Sequence, residues 1–212
     1  MTKILLPALL LAASVALPSI AQKRASDEKP VSFQERMQRA SGAWDKGSYG
    51  TCMTELQGAL SLCAEKRSQE IRKALPAAPE GWEALPDPKD DQRNNPFAAA
   101  MTASVGNIVT RSYEKSDGSD RVEVTVTADS PLVSMFNMWV TNPAMLGNQG
   151  ELVEYENDDK AVLKNQGGRL ELQILISKAH MCEVKASGLS EDQLFAMFDQ
   201  SAVSKLRTAL GQ

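Results

Sequence analysis

Between Pro76 and Pro96 the chain places five prolines in 21 residues, PAAPEGWEALPDPKDDQRNNP. Proline fixes φ and lacks the backbone N–H, so this density excludes a helix and a central strand and favours extended, solvated backbone. The stretch reads as a strap or linker, taken over 76–103, and it divides the chain into parts with different periodicities. Before it, apolar residues recur every three or four positions. After it, they alternate. Trp82 is the one large apolar group in the first half of the strap, and a tryptophan there reads as an anchor docked on a neighbouring element.

Upstream, Phe33, Met37, Ala40 and Trp44 fall on one face of a helix. Ser32 is placed to cap its start with Glu35 three positions on, and Gly47 ends it. A second run follows through Tyr49, Cys52, Met53, Leu56, Ala59, Leu60, Cys63, Ile71 and Leu75, and Pro76 stops it. Two helices joined by a short link make an antiparallel hairpin over 33–75. Ala43-Trp44, Gly47-x-Tyr49-x-x-Cys52 and Leu56-x-x-Ala59-Leu60-x-Leu62 resemble the second half of a tetratricopeptide repeat, with Cys52 where an alanine is usual. The resemblance occurs once, and one repeat cannot bury a continuous core. The expectation is an ordinary hairpin packed on the rest of the protein.

Downstream, Arg121–Thr127 (RVEVTVT) alternates apolar and polar residues, the pattern of a half-buried strand. Ile108–Glu114 can pair with it across a loop containing Asp117-Gly118. Leu152–Tyr155, Ala161–Lys164, Leu170–Ile176 and Met181–Ala186 give four more strands on short polar joints, an antiparallel meander. Asp129-Ser130-Pro131 starts a helix that ends at Asn142-Pro143, and Ser190-Glu191-Asp192-Gln193 opens a closing one. The expected class is α+β over 104–212: about six mostly antiparallel strands with helices on one face, in the order ββ-α-ββββ-α.

The amino terminus carries Lys3, an apolar run from Ile4 to Leu17, and Ser19-Ile20-Ala21. That is the layout of a signal peptide over 1–21, cleaved near Ala21. Residues 22–32 read as a disordered leader. The location implied is the periplasm of a Gram-negative bacterium. No second long apolar run follows, so no transmembrane span is expected in the mature chain. Net charge is −4 and the basic residues are unclustered, which lacks the electrostatic footprint for nucleic acid.

The one histidine of the chain, His180, stands two residues from Cys182. Both share a strand face with Val184 and Ala186, opposite Met181, Glu183 and Lys185, so both point into the core. Zinc takes three or four Cys, His or carboxylate ligands, and no metal or other cofactor is expected. Cys52 and Cys63 lie about 16 Å apart along one helix, too far for a bridge. Either Cys182 pairs with Cys52 or Cys63, or all three are buried thiols. No nucleophile elbow, phosphate loop or zinc-protease motif occurs. Glu154 and Glu156 are the carboxylate pair to weigh, at what looks like a solvated hairpin end.

The helix from Pro131 to Val140 has no charge. Leu132, Met135, Phe136, Trp139 and Val140 can form its buried stripe, which leaves Val133 and Met138 turned outward. Either another element covers that outer side or it is a contact site, with Leu132, Val133, Met135, Phe136, Met138 and Trp139 as candidates. The chain also resembles a set of small exported bacterial proteins of unknown function. The shared features are the Trp44…Gly47-x-Tyr49 hairpin, Leu75-Pro-Ala-Ala-Pro-Glu-Gly-Trp82, Asp129-Ser130-Pro131-Leu132 and the closing Ser-Gly-x-Ser-Glu-Asp-Gln-Leu. The resemblance implies periplasmic residence and no activity. The leading expectation is a non-catalytic interaction or accessory protein whose partner is an envelope protein or an apolar ligand. The alternatives are a carrier of a small apolar ligand or lipid, and a hydrolase with an unrecognised carboxylate site.

Overall fold

The structure, a computed structural model, describes residues 31–86, 107–141 and 150–212. The expected signal peptide, the expected leader up to residue 30 and the strap from residue 87 onward lie outside the described residues. Ser32 starts the first helix, α1 (Phe33–Asp45), by accepting the Glu35 N–H. The Glu35 carboxylate pairs with Arg39 instead of closing a capping box. Gly47, at φ +69°, adopts the left-handed conformation that ends many helices. Its N–H reaches the Trp44 carbonyl, the Ser48 N–H reaches the Ala43 carbonyl, and the chain turns straight into α2 (Tyr49–Ala74).

The strands are β1 (Trp82–Ala84), β2 (Asn107–Lys115), β3 (Arg121–Ala128), β4 (Glu151–Glu154), β5 (Lys160–Gln166), β6 (Arg169–Ile176) and β7 (His180–Ser187). They form one antiparallel sheet in the order β1-β2-β3-β7-β6-β5-β4. Helix α3 (Pro131–Thr141) lies between β3 and β4 in sequence, and α4 (Glu191–Met197) and α5 (Gln200–Ala209) close the chain. The class is α+β, as the sequence implies.

Three details differ from the expectation. The sheet has seven strands, because the strap itself contributes β1, which pairs with the end of β2. An edge strand tolerates flanking prolines, which a central strand would not. The closing helix is two helices, because Asp199 caps a fresh start by accepting the Ala202 N–H.

The third difference concerns the faces of the sheet. Register puts Val126, Cys182, Ile174 and Ala161 side by side on one face, and this face carries the main core. The last turns of α2 together with α4 and α5 cover it, through Ile71, Leu75, Leu194, Phe198, Val203 and Leu206. Helix α3 does not join them. Its Val140 packs on Val162, which is opposite Gln173 on the other face. The helices therefore occupy both faces. The reason is local: Val162, Leu152 and Leu175 make an apolar corner on an otherwise polar face, and α3 is the neighbouring element that can cover it.

Candidate functional site

Helix α2 is 26 residues long, about 39 Å, and its two halves meet different surroundings. From Ala64 onward it is bolted to the sheet domain. Asn107 Nδ2 donates to the Ala64 carbonyl at 3.0 Å, and Ser68 Oγ donates to Asn107 Oδ1 at 2.9 Å. Arg67 pairs with Asp129 and donates to the Leu210 carbonyl. Ile71 is fully buried in the core.

The first half of α2 packs instead against α1, around Ala40, Ala43, Cys52 and Ala59. On one side of that seam Arg36 Nη1 donates to Glu55 Oε2 at 3.1 Å. On the other side lie Phe33, Met37 and Trp44 from α1 and Tyr49, Met53, Leu56 and Leu60 from α2. Steps of three, four and seven residues place them in two adjacent stripes, and the Trp44 and Tyr49 rings meet edge to face with centroids 5.2 Å apart. All seven are exposed, by 40–64%. Continued along α2 at the same spacing, the stripe reaches Ile71. The apolar face that seats the helix on the sheet therefore runs past the end of the sheet into solvent.

This surface has little charge. Glu55 is the one charged residue of α2 before Glu65, and it is held by Arg36 on the opposite side of the seam. At about 150–250 Å² for an aromatic side chain and somewhat less for Met and Leu, the seven leave on the order of 600–700 Å² in water, at or above the top of the roughly 300–600 Å² of the largest patch on a typical monomer. Helical spacing marks the seven as one face of each helix and does not by itself say whether that face is buried. The discriminating signal was the absence of charge from Tyr49 to Ala64, apart from Glu55, on a helix already buried on one side.

Helix α3 carries less. Val133 and Val140 are buried, Phe136 is half-buried against the Val140–Val162 pair, and Met138 is 62% exposed. Phe136 and Val140 thus face the sheet as expected, while Val133, expected to turn outward, is buried. The side chains of Leu132, Met135 and Trp139 lie outside the described ones. The space between α3 and the sheet that a carried ligand would need is filled at this corner by Phe136, Val140, Leu152 and Val162.

His180 and Cys182 are both fully buried on the core face, as alternation requires. His180 Nδ1 accepts the Asp129 N–H at 3.3 Å, so the ring proton of the neutral form sits on Nε2. Nε2 has no hydrogen-bond partner among the described residues. Burial pulls the His180 pKa below 6.5, against the opposing pull of Asp129. Burial also pushes the Cys182 thiol up to about 12, so it is an inert core group. All three cysteines are free. Cys52 belongs to the hairpin seam and Cys182 to the sheet core, so the bridge weighed from the sequence is not formed. Cys63 is exposed, which corrects the expectation of three buried thiols.

Glu154 and Glu156 are both exposed. Glu154 pairs with Lys160 across β4 and β5, while Glu156 starts a separate 3₁₀ turn, so they do not make a facing carboxylate pair. Among the described residues no three His, Cys, Asp or Glu side chains are grouped to hold a metal, and no helix is long and apolar enough to cross a membrane. The buried Asp159 belongs to a structural clamp. Its Oδ1 accepts the Ser177 N–H, its Oδ2 lies 2.5 Å from Arg207 Nη2, and Arg207 also donates to Ser177 Oγ and the Asn157 carbonyl. Compared with protein-family models, curated proteins and solved structures, the chain matches none.

Proposed function

We propose that this chain is a non-catalytic interaction protein of the cell envelope, exported to the periplasm, and that it works through the outer face of its helical hairpin. The observation that carries the reading is that face. Seven large apolar side chains stand in water on a hairpin whose own seam is already packed, and a patch of this size marks a contact site. The amino-terminal Ile4–Leu17 run and Ser19-Ile20-Ala21 support export. Among the described residues the buried Asp159 is held in a structural clamp and the Cys182 thiol is buried and inert, so neither is poised for catalysis.

Site-specific photo-crosslinking in the host tests this. A crosslinking residue at Met53 or Leu60 should give discrete adducts in intact cells, and one at exposed, polar Gln38 should not. Adducts absent at both hairpin positions would overturn the reading. Met138 is the separate probe for α3.

A further inference from the structure

We infer that the occupant of the hairpin's outer face is a second copy of the same hairpin, so that two chains join through a four-helix bundle. The inference rests on the contact function proposed above and names its partner.

Three observations lead there. The first is size. The face offers on the order of 600–700 Å² per chain, close to the roughly 800 Å² that each partner gives to a standard interface. The second is charge. A two-fold contact sets a surface against itself, so a face dominated by one sign would repel its copy. Here Arg36 and Glu55 neutralise each other on the far side of the seam, Arg39 is held by Glu35, and the face itself is Phe33, Met37, Trp44, Tyr49, Met53, Leu56 and Leu60. A lipid surface would favour a cationic rim, and Lys and Arg are absent from α2 before Lys66.

The third observation is shape. The hairpin is a pair of antiparallel helices with an apolar stripe on each, which is half of a four-helix bundle, and two such halves bury both stripes. Two small polar side chains of this part of α2 are satisfied internally. Thr54 Oγ1 donates to the Gly50 carbonyl and Ser61 Oγ to the Gln57 carbonyl, each at 3.0 Å. They can approach a partner without leaving a hydrogen bond unmade.

Sedimentation equilibrium of the purified protein tests this, with Leu60→Glu and Trp44→Glu as variants. The wild type should be a concentration-dependent dimer. Each variant should weaken it by roughly thirtyfold or more, the scale of a central contact residue, with an unchanged circular dichroism spectrum. A spin label on Cys63, the exposed thiol beside the stripe, should report a distance between copies that Leu60→Glu abolishes. Because Leu60 is exposed, loss of the fold is not expected; should either variant unfold, the Cys63 distance in the labelled wild type decides alone. A wild type that stays monomeric at about 100 µM, where even a weak specific pair with micromolar affinity would assemble, overturns the inference. So does a dimer that both folded variants preserve. In either case crosslinks from Met53 or Leu60 to a different protein in cells would leave the contact function standing, and their absence would remove both.

Discussion

The two halves of α2 share one apolar stripe and meet opposite fates. Ile71 is fully buried, whereas Leu60, eleven residues earlier on the same side, is 64% exposed. Composition does not separate them. What separates them is the extent of the sheet, which ends where Asn107 and Asp129 tie down Ala64 and Arg67. An amphipathic pattern therefore states that a face seeks an apolar neighbour, and it does not say whether the same chain supplies one.

If this comparison is right, the two halves respond differently to substitution. Ile71→Ala removes packing from the centre of the core and should cost about 2–5 kcal/mol in urea unfolding. Arg207→Met leaves the buried Asp159 carboxylate without its cation and should cost about 3 kcal/mol. Adding Asp159→Asn should recover part of that loss, measured in the same titration.

Smaller effects probe the hairpin. Gly47→Ala forces a Cβ into a left-handed conformation and should cost about 1 kcal/mol. Amide exchange should then speed up in α1 and the start of α2 while β6 and β7 keep their protection, because the hairpin seam is separate from the sheet core. A pH titration tests the anchored end. The folded-state pKa of His180 is lowered, so the unfolded chain binds its proton first as acid is added. Stability from this group is full above 6.5 and is lost as pH falls below it. The urea midpoint should drop as pH falls below about 6.5, and His180→Gln should flatten that slope. The smallest effect is the most informative: Leu60→Ala should change the stability of the dilute protein by less than about 0.5 kcal/mol.

Much of this architecture was legible from period and punctuation. Val122, Val124 and Val126 announce β3 by alternation, and Asp117-Gly118 and Gly167-Gly168 mark hairpin turns that the structure keeps. His180 and Cys182 fall on the core face for the same reason. The strand within the strap was not legible, because Trp82–Ala84 is too short to show a period and owes its existence to the free edge of β2. The side of the sheet taken by α3 was equally hidden, since it depends on Val162 and Leu152 forming an apolar corner through register. The exposure of Trp44, Tyr49, Met53 and Leu60 was the largest miss. Burial is a property of where other elements stop, and local spacing contains no record of that.

Hydroxyl-radical footprinting of Trp44, Tyr49 and Met53, in dilute purified protein and in intact cells, tests the central claim most directly. The account predicts rapid oxidation of all three in the dilute protein and strong protection in cells, where a partner covers the hairpin face. Equal oxidation in both settings would mean that nothing occupies it. Protection already present in protein too dilute to dimerise would mean that the chain covers this face itself, and the contrast between the two halves of α2 would be gone.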